Sequence, residues 1–179
     1  LSITGDATNT TTTSSAYGVN LGNGTVIQTE TGALNITGTG DDVAGGGSGF
    51  RTGLYVYSLG AGDTTTIKST SGAIILNGGA TFAAATTNAS GLQLQTDTAT
   101  GVAQVVSQTG DITLIGSSTV ETGQTQDGLR FSAPDAANTI MLGYDGTNAY
   151  SGNIVLRSNS ILQRAQNAGS GSISVRTTG

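Results

Sequence analysis

Few residues in this chain can do chemistry. It contains no His and no Cys, so the usual proton shuttles, thiolate nucleophiles and nitrogen or sulfur metal ligands are missing. What remains is carboxylates, hydroxyls, amides and five tyrosines. Asp41 and Asp42 stand side by side in the glycine-dense stretch from Gly38 to Gly49. Paired carboxylates among glycines are the raw material of a calcium loop, and these two are the chain's metal candidates. Glycine-aspartate calcium sites, however, rest on a nonapeptide repeated in tandem. Here the pattern occurs once and imperfectly, so a solvated loop is expected, with no metal and no cofactor. The second cluster is Tyr144, Asp145 and Tyr150, inside Gly143-Tyr144-Asp145-Gly146-Thr147-Asn148-Ala149-Tyr150. Its rings could stack on a sugar or pin the loop to its own scaffold, which makes it the candidate ligand-contact loop.

Carboxylate-pair hydrolysis needs two acids facing one another across a groove. The eleven acidic residues, Asp6, Glu30, Asp63, Asp97, Asp111 and Glu121 among them, fall at differing places in the repeat described below and form no column. No catalytic residue is assigned, and the chain is not expected to be an enzyme. Arg157 and Arg176 each follow the second aliphatic of a repeat. They are expected to splay on the surface as neighbours in adjacent coils.

Charge narrows the partners. Six cations against a net charge of −5 leave no basic patch to neutralise phosphates, so nucleic acid is not an expected partner. No apolar run reaches the roughly 18 residues of a membrane-spanning helix, so membrane insertion is not expected either. The chain opens on Leu1 rather than Met and reads as a piece of something longer.

The elements that must hold these residues are written as a repeat. Thr109-Gly110-Asp111-Ile112-Thr113-Leu114 recurs as Thr31-Gly32-Ala33-Leu34-Asn35-Ile36, Ser71-Gly72-Ala73-Ile74-Ile75-Leu76, Ser151-Gly152-Asn153-Ile154-Val155-Leu156 and Ser170-Gly171-Ser172-Ile173-Ser174-Val175. A shorter form, with the aliphatic directly after glycine, alternates with it at Val19, Leu54, Leu92 and Leu129, and Leu1-Ser2-Ile3 reads as the tail of another copy. Two aliphatics one residue apart point the same way from a strand. Successive copies are about 19 residues apart, a length that suits one coil of a β-solenoid. The expectation is one continuous all-β unit over 1–179, about ten parallel coils long, roughly 45–50 Å at the ordinary strand spacing.

Weaker aliphatic pairs sit between the copies. Ile27, Ile67 and Val105 lie seven residues before Leu34, Ile74 and Ile112, and Ile140-Met141-Leu142 and Ile161-Leu162 hold comparable places. They predict a second strand one corner earlier, and the alternation of long and short forms makes a double unit near 38 residues. The stretches 38–50 and 132–150 break the rhythm and are expected to project as loops, where a solenoid carries its contacts.

The copies quoted above, at their step near 19, resemble the stalk repeats of filamentous haemagglutinin-like bacterial exoproteins over essentially the whole chain. That resemblance implies a right-handed parallel β-helix, secretion across a Gram-negative outer membrane to the cell surface, and an adhesive or fibre-forming role. It carries over no binding or catalytic residue, because the stalk motif is structural. Partners would be neighbouring repeats, identical subunits end to end, or surface glycans. A carbohydrate-binding or carbohydrate-active module on the same fold is the alternative.

Overall fold

The computed structural model describes residues 1–7, 15–42, 50–82, 89–97, 100–120, 126–134, 137–164 and 172–175. Among them every regular element is a strand. The first round of the chain is β1 (Ser2–Ala7), β2 (Ala16–Gly22) and β3 (Val26–Thr29). The second is β4 (Leu34–Asp42), β5 (Arg51–Ser58) and β6 (Thr64–Ser69), and the third β7 (Ile74–Phe82), β8 (Ala89–Thr96) and β9 (Val102–Ser107). Then come β10 (Ile112–Val120), β11 (Gln126–Ser132) and β12 (Thr139–Leu142), followed by β13 (Ile154–Ser158), β14 (Ile161–Arg164) and β15 (Ser172–Val175). Every third strand pairs in parallel, giving three five-stranded sheets: β1-β4-β7-β10-β13 (sheet 1), β2-β5-β8-β11-β14 (sheet 2) and β3-β6-β9-β12-β15 (sheet 3). This is a parallel β-solenoid.

The paired aliphatics stack in register. Ile3, Ile36, Leu76, Leu114 and Leu156 form one column of sheet 1. Leu21, Val56, Leu94 and Phe131 form one of sheet 2, and Ile27, Ile67, Val105, Leu142 and Val175 one of sheet 3. They meet in a single core, in which Leu34, Leu54, Ile67, Leu92 and Leu129 are fully buried. Each such side chain contributes about 1.5–3 kcal/mol.

The coil count expected from the repeat is corrected. Long and short forms are two sides of one coil, so the double unit near 38 residues is the coil itself. Each sheet is five strands deep, which makes a stack of about 20–25 Å rather than the length of ten coils. The strands foreseen at Ile27, Ile67 and Val105 are β3, β6 and β9, the third side. The last copy is also reassigned. Ile173 and Val175 pair with Ile140 and Leu142 in sheet 3, whereas Ile161 pairs with Leu129 in sheet 2. Arg157 lies on sheet 1; Arg176, the other member of the expected pair, lies outside the described residues.

The glycine of the short form turns out to be a spacer. Sheets 1 and 2 touch backbone to backbone along Gly38–Gly53, Gly78–Gly91 and Gly116–Gly128, where a Cβ on the sheet 1 glycine would come within 2.0 Å of the facing carbonyl oxygen. The glycine of the long form stacks at the corner between sheets 3 and 1. There Ser107 Oγ accepts from Gly110 N at 3.0 Å and donates to Gly72 O at 2.9 Å, tying one coil to the next.

Candidate functional site

The predicted loop at 132–150 is not one loop. Ile140 and Leu142 are fully buried in β12, and residues 143–150 alone form a compact hairpin beside sheet 3. Gly143 and Gly146 supply the positive φ angles of 67° and 93° that the hairpin needs. Asp145 is its hub. Oδ1 accepts from Thr147 N at 2.9 Å and Asn148 N at 2.7 Å, and Oδ2 accepts from the Tyr150 hydroxyl. Those donors, the Asn148 amide first, hold the carboxyl far below the ordinary carboxylate range. The same contact pushes the Tyr150 hydroxyl up. Tyr144 donates to Gly146 O, while its own carbonyl accepts from Gln104 Nε2 at 3.4 Å on sheet 3. Both tyrosines thus make hydrogen bonds within the hairpin or to sheet 3.

Asp145 and Tyr150 do border a cleft of about 420 Å³ on the outer face of sheet 3, shared with Gln28, Lys68, Gln104 and Gln108. Its floor is Thr, Gln and Val. Asp145, its one lining carboxylate, is already bound to Tyr150 within the hairpin, so the remaining lining is amides, hydroxyls, valines and one ammonium.

The stretch 38–50 opens as strand, not loop, because Gly38 to Asp42 finish β4 and pair with Gly78 to Phe82; residues 43–49 lie outside the described part. Asp41 accepts from Thr81 N at 3.1 Å on the neighbouring strand, and Asp42 ends β4 beside it. Among the described residues no three His, Cys, Asp or Glu side chains gather to hold a metal ion.

A site that sequence reasoning missed lies on the outer face of sheet 2. Tyr17, Tyr55 and Tyr57 form a row of stacked rings, with centroids 5.2 Å apart for the first pair and 4.6 Å for the second. They line a cleft of about 370 Å³ with Asn20, Gln93 and Gln95. The Tyr55 hydroxyl donates to Gln95 Oε1 at 2.9 Å, and Gln93 Nε2 donates to the same oxygen. Burial, then the neighbouring Tyr17, pushes the Tyr55 hydroxyl well above its ordinary value of 10.0, so it stays a hydrogen-bond donor. Tyr55 is 8% exposed and Gln93 3%. Beside Gln93 in register, Arg130 is 7% exposed and pairs with Asp127 at 3.9 Å.

Strand alternation could have found two of these tyrosines, since Tyr55 and Tyr57 flank the inward Val56 and share the outer face. It could not have found Tyr17, which by simple alternation from Val19 points inward. At the seam Gly18 already faces Thr39 of sheet 1, so two successive residues point to one side and Tyr17 reverses onto the outer face. The comparisons with protein-family models, curated proteins and solved structures find no match for this chain.

Proposed function

We propose that this chain is a rod segment of a large secreted bacterial surface fibre or adhesin, of the filamentous haemagglutinin-like kind, at the surface of a Gram-negative cell. The coil is taken as right-handed, since parallel crossovers take that hand in about 98% of cases. One observation carries the reading. Among the described residues, core-column aliphatics near both ends of the stack are left uncovered. Leu1 is 59% exposed at one end, and Leu156 (37%) and Val175 (50%) are exposed at the other, while the residues they stack on, Leu34, Leu114 and Leu142, are fully buried. A further coil on either end would bury them and pair the free strand edges. The partners are then neighbouring repeats or a second copy end to end. The role is mechanical reach, with contacts made by the outer faces of the sheets.

Immunogold labelling of intact source cells with antibody to this chain tests the reading. Label along filaments at the surface is expected. Label that appears only after the envelope is permeabilised would overturn it. Assembly is tested separately by negative staining over a concentration series, where discrete short particles at every concentration would count against end-to-end stacking. A second reading, a carbohydrate-binding module on the same fold, is favoured by the tyrosine cleft and is taken up next. We read the chain as a non-enzyme.

A further inference from the structure

We propose that the cleft on the outer face of sheet 2, between Tyr17, Tyr55 and Tyr57 and the amides of Asn20, Gln93 and Gln95, binds an uncharged oligosaccharide. This gives the adhesive reading a contact site, and it stands on the cleft alone, whether or not the chain assembles into a fibre.

The lining chooses the ligand class. Aromatic rings offer an apolar surface to the C–H faces of a sugar, and amides offer paired donors and acceptors to its hydroxyls. Among the described residues no Lys or Arg lines the cleft, and the one charged group that does is the carboxylate of Asp97. On a chain of net charge −5 this disfavours sulfated or uronic-acid polymers, while a carboxylate accepts readily from neutral hydroxyls. A cleft of about 370 Å³ falls in the range of small-molecule sites. It is also preorganised: the three rings stack on one another, and Gln95 holds both the Tyr55 hydroxyl and the Gln93 amide. The Tyr57 ring is fixed by its seat on Gly22, where a Cβ would come within 2.0 Å of the ring. Little side-chain freedom is left to lose on binding. The sheet 3 cleft is the natural control, because Tyr150 is engaged by Asp145.

The chain has no Trp, and three of its five tyrosines line this cleft, so intrinsic tyrosine fluorescence reports on it directly. The test titrates the purified chain with maltohexaose, cellohexaose, chitohexaose and heparin. Saturable quenching by at least one neutral hexasaccharide is expected, weakened about tenfold or more in Tyr57→Ala and unchanged in Tyr150→Ala. Should Tyr57→Ala fail to fold, Asn20→Ala at an exposed position is expected to weaken binding severalfold with an unchanged melting curve. Absence of saturation by all three neutral sugars, or binding of heparin alone, would overturn the proposal. So would affinity that survives both substitutions in the sheet 2 cleft, or that falls equally in Tyr150→Ala. Each of these results is independent of where the chain resides on the cell.

Discussion

The two faces of sheet 2 are built from opposite chemistry. On the inner face Leu54, Val56, Leu92, Leu94, Leu129 and Phe131 enter the core. Between them, on the outer face, stand Tyr55, Gln93 and Arg130, each under a tenth exposed. The inner face is held by non-directional burial, so any aliphatic of similar volume serves there. The outer face is held by directed contacts: ring on ring, hydroxyl to amide, guanidinium to carboxylate. Such a lattice adds little net stability, because each polar group gives up water to enter it. Stability and recognition are thus separated by a single residue along one strand, and a change on one side need not disturb the other.

The contrast is sharpest where a charge is forced across it. Leu94→Asp places an unpaired carboxylate in the core beside Val56 and Phe131, its register mates. A loss of about 5 kcal/mol or more is expected, read as a collapsed melting transition by circular dichroism. A melting curve like that of the unaltered chain would show that the inner face had been assigned wrongly.

On the outer face the largest effect should come from breaking a buried pair. Asp127→Ala removes the carboxylate that faces the Arg130 guanidinium at 3.9 Å and is expected to cost about 3 kcal/mol. Because a buried pair is worth little against an apolar replacement, the double variant Asp127→Ala with Arg130→Met should recover most of that loss. Denaturant unfolding of the single and double variants measures both. Equal losses in the two would mean that the outer face is stabilised as a core is.

Two residues apart on β8, Ser90 and Leu92 are both buried. Among the described residues the Ser90 hydroxyl has no hydrogen-bond partner. Leu92→Ala should cost about 3 kcal/mol, whereas Ser90→Ala should stay within about 0.5 kcal/mol of the parent or stabilise slightly. Paired chemical denaturation curves decide it.

The smallest effects come from pH. Raised hydroxyl values at Tyr55 and Tyr150 mean that their contribution is complete below the unfolded value of 10.0 and is lost as pH rises through the folded one. A tyrosinate absorbance titration of the folded chain should show these two hydroxyls ionising only above pH 10.0. Asp145 runs the opposite way. Its depressed value gives a contribution that is complete above the unfolded value of 3.8 and is lost as pH falls below it. Nuclear magnetic resonance should then show the 143–150 hairpin loosening in acid while the core signals remain.

The alternating aliphatics were decided locally. A strand that buries one face must place Ile112 and Leu114 two residues apart, and a coil that stacks must repeat them, so an all-β solenoid could be read from the chain alone. The same holds for the third side at Ile27, Ile67 and Val105. Which strand meets which was decided only by the tertiary structure. Long and short forms present the same inward pair, and nothing in Leu34-Asn35-Ile36 or Leu54-Tyr55-Val56 says that they face each other across one core rather than stack on one another. Their glycines carried the missing information, but a glycine that turns a corner and one that admits a neighbouring backbone look alike in sequence. The same limit hid the site. Asp145 and Tyr150 stood out because they lie close together along the chain, and there they satisfy one another. Tyr17 and Tyr55, 38 positions apart, become neighbours only when two coils stack and the seam at Gly18 reverses the alternation.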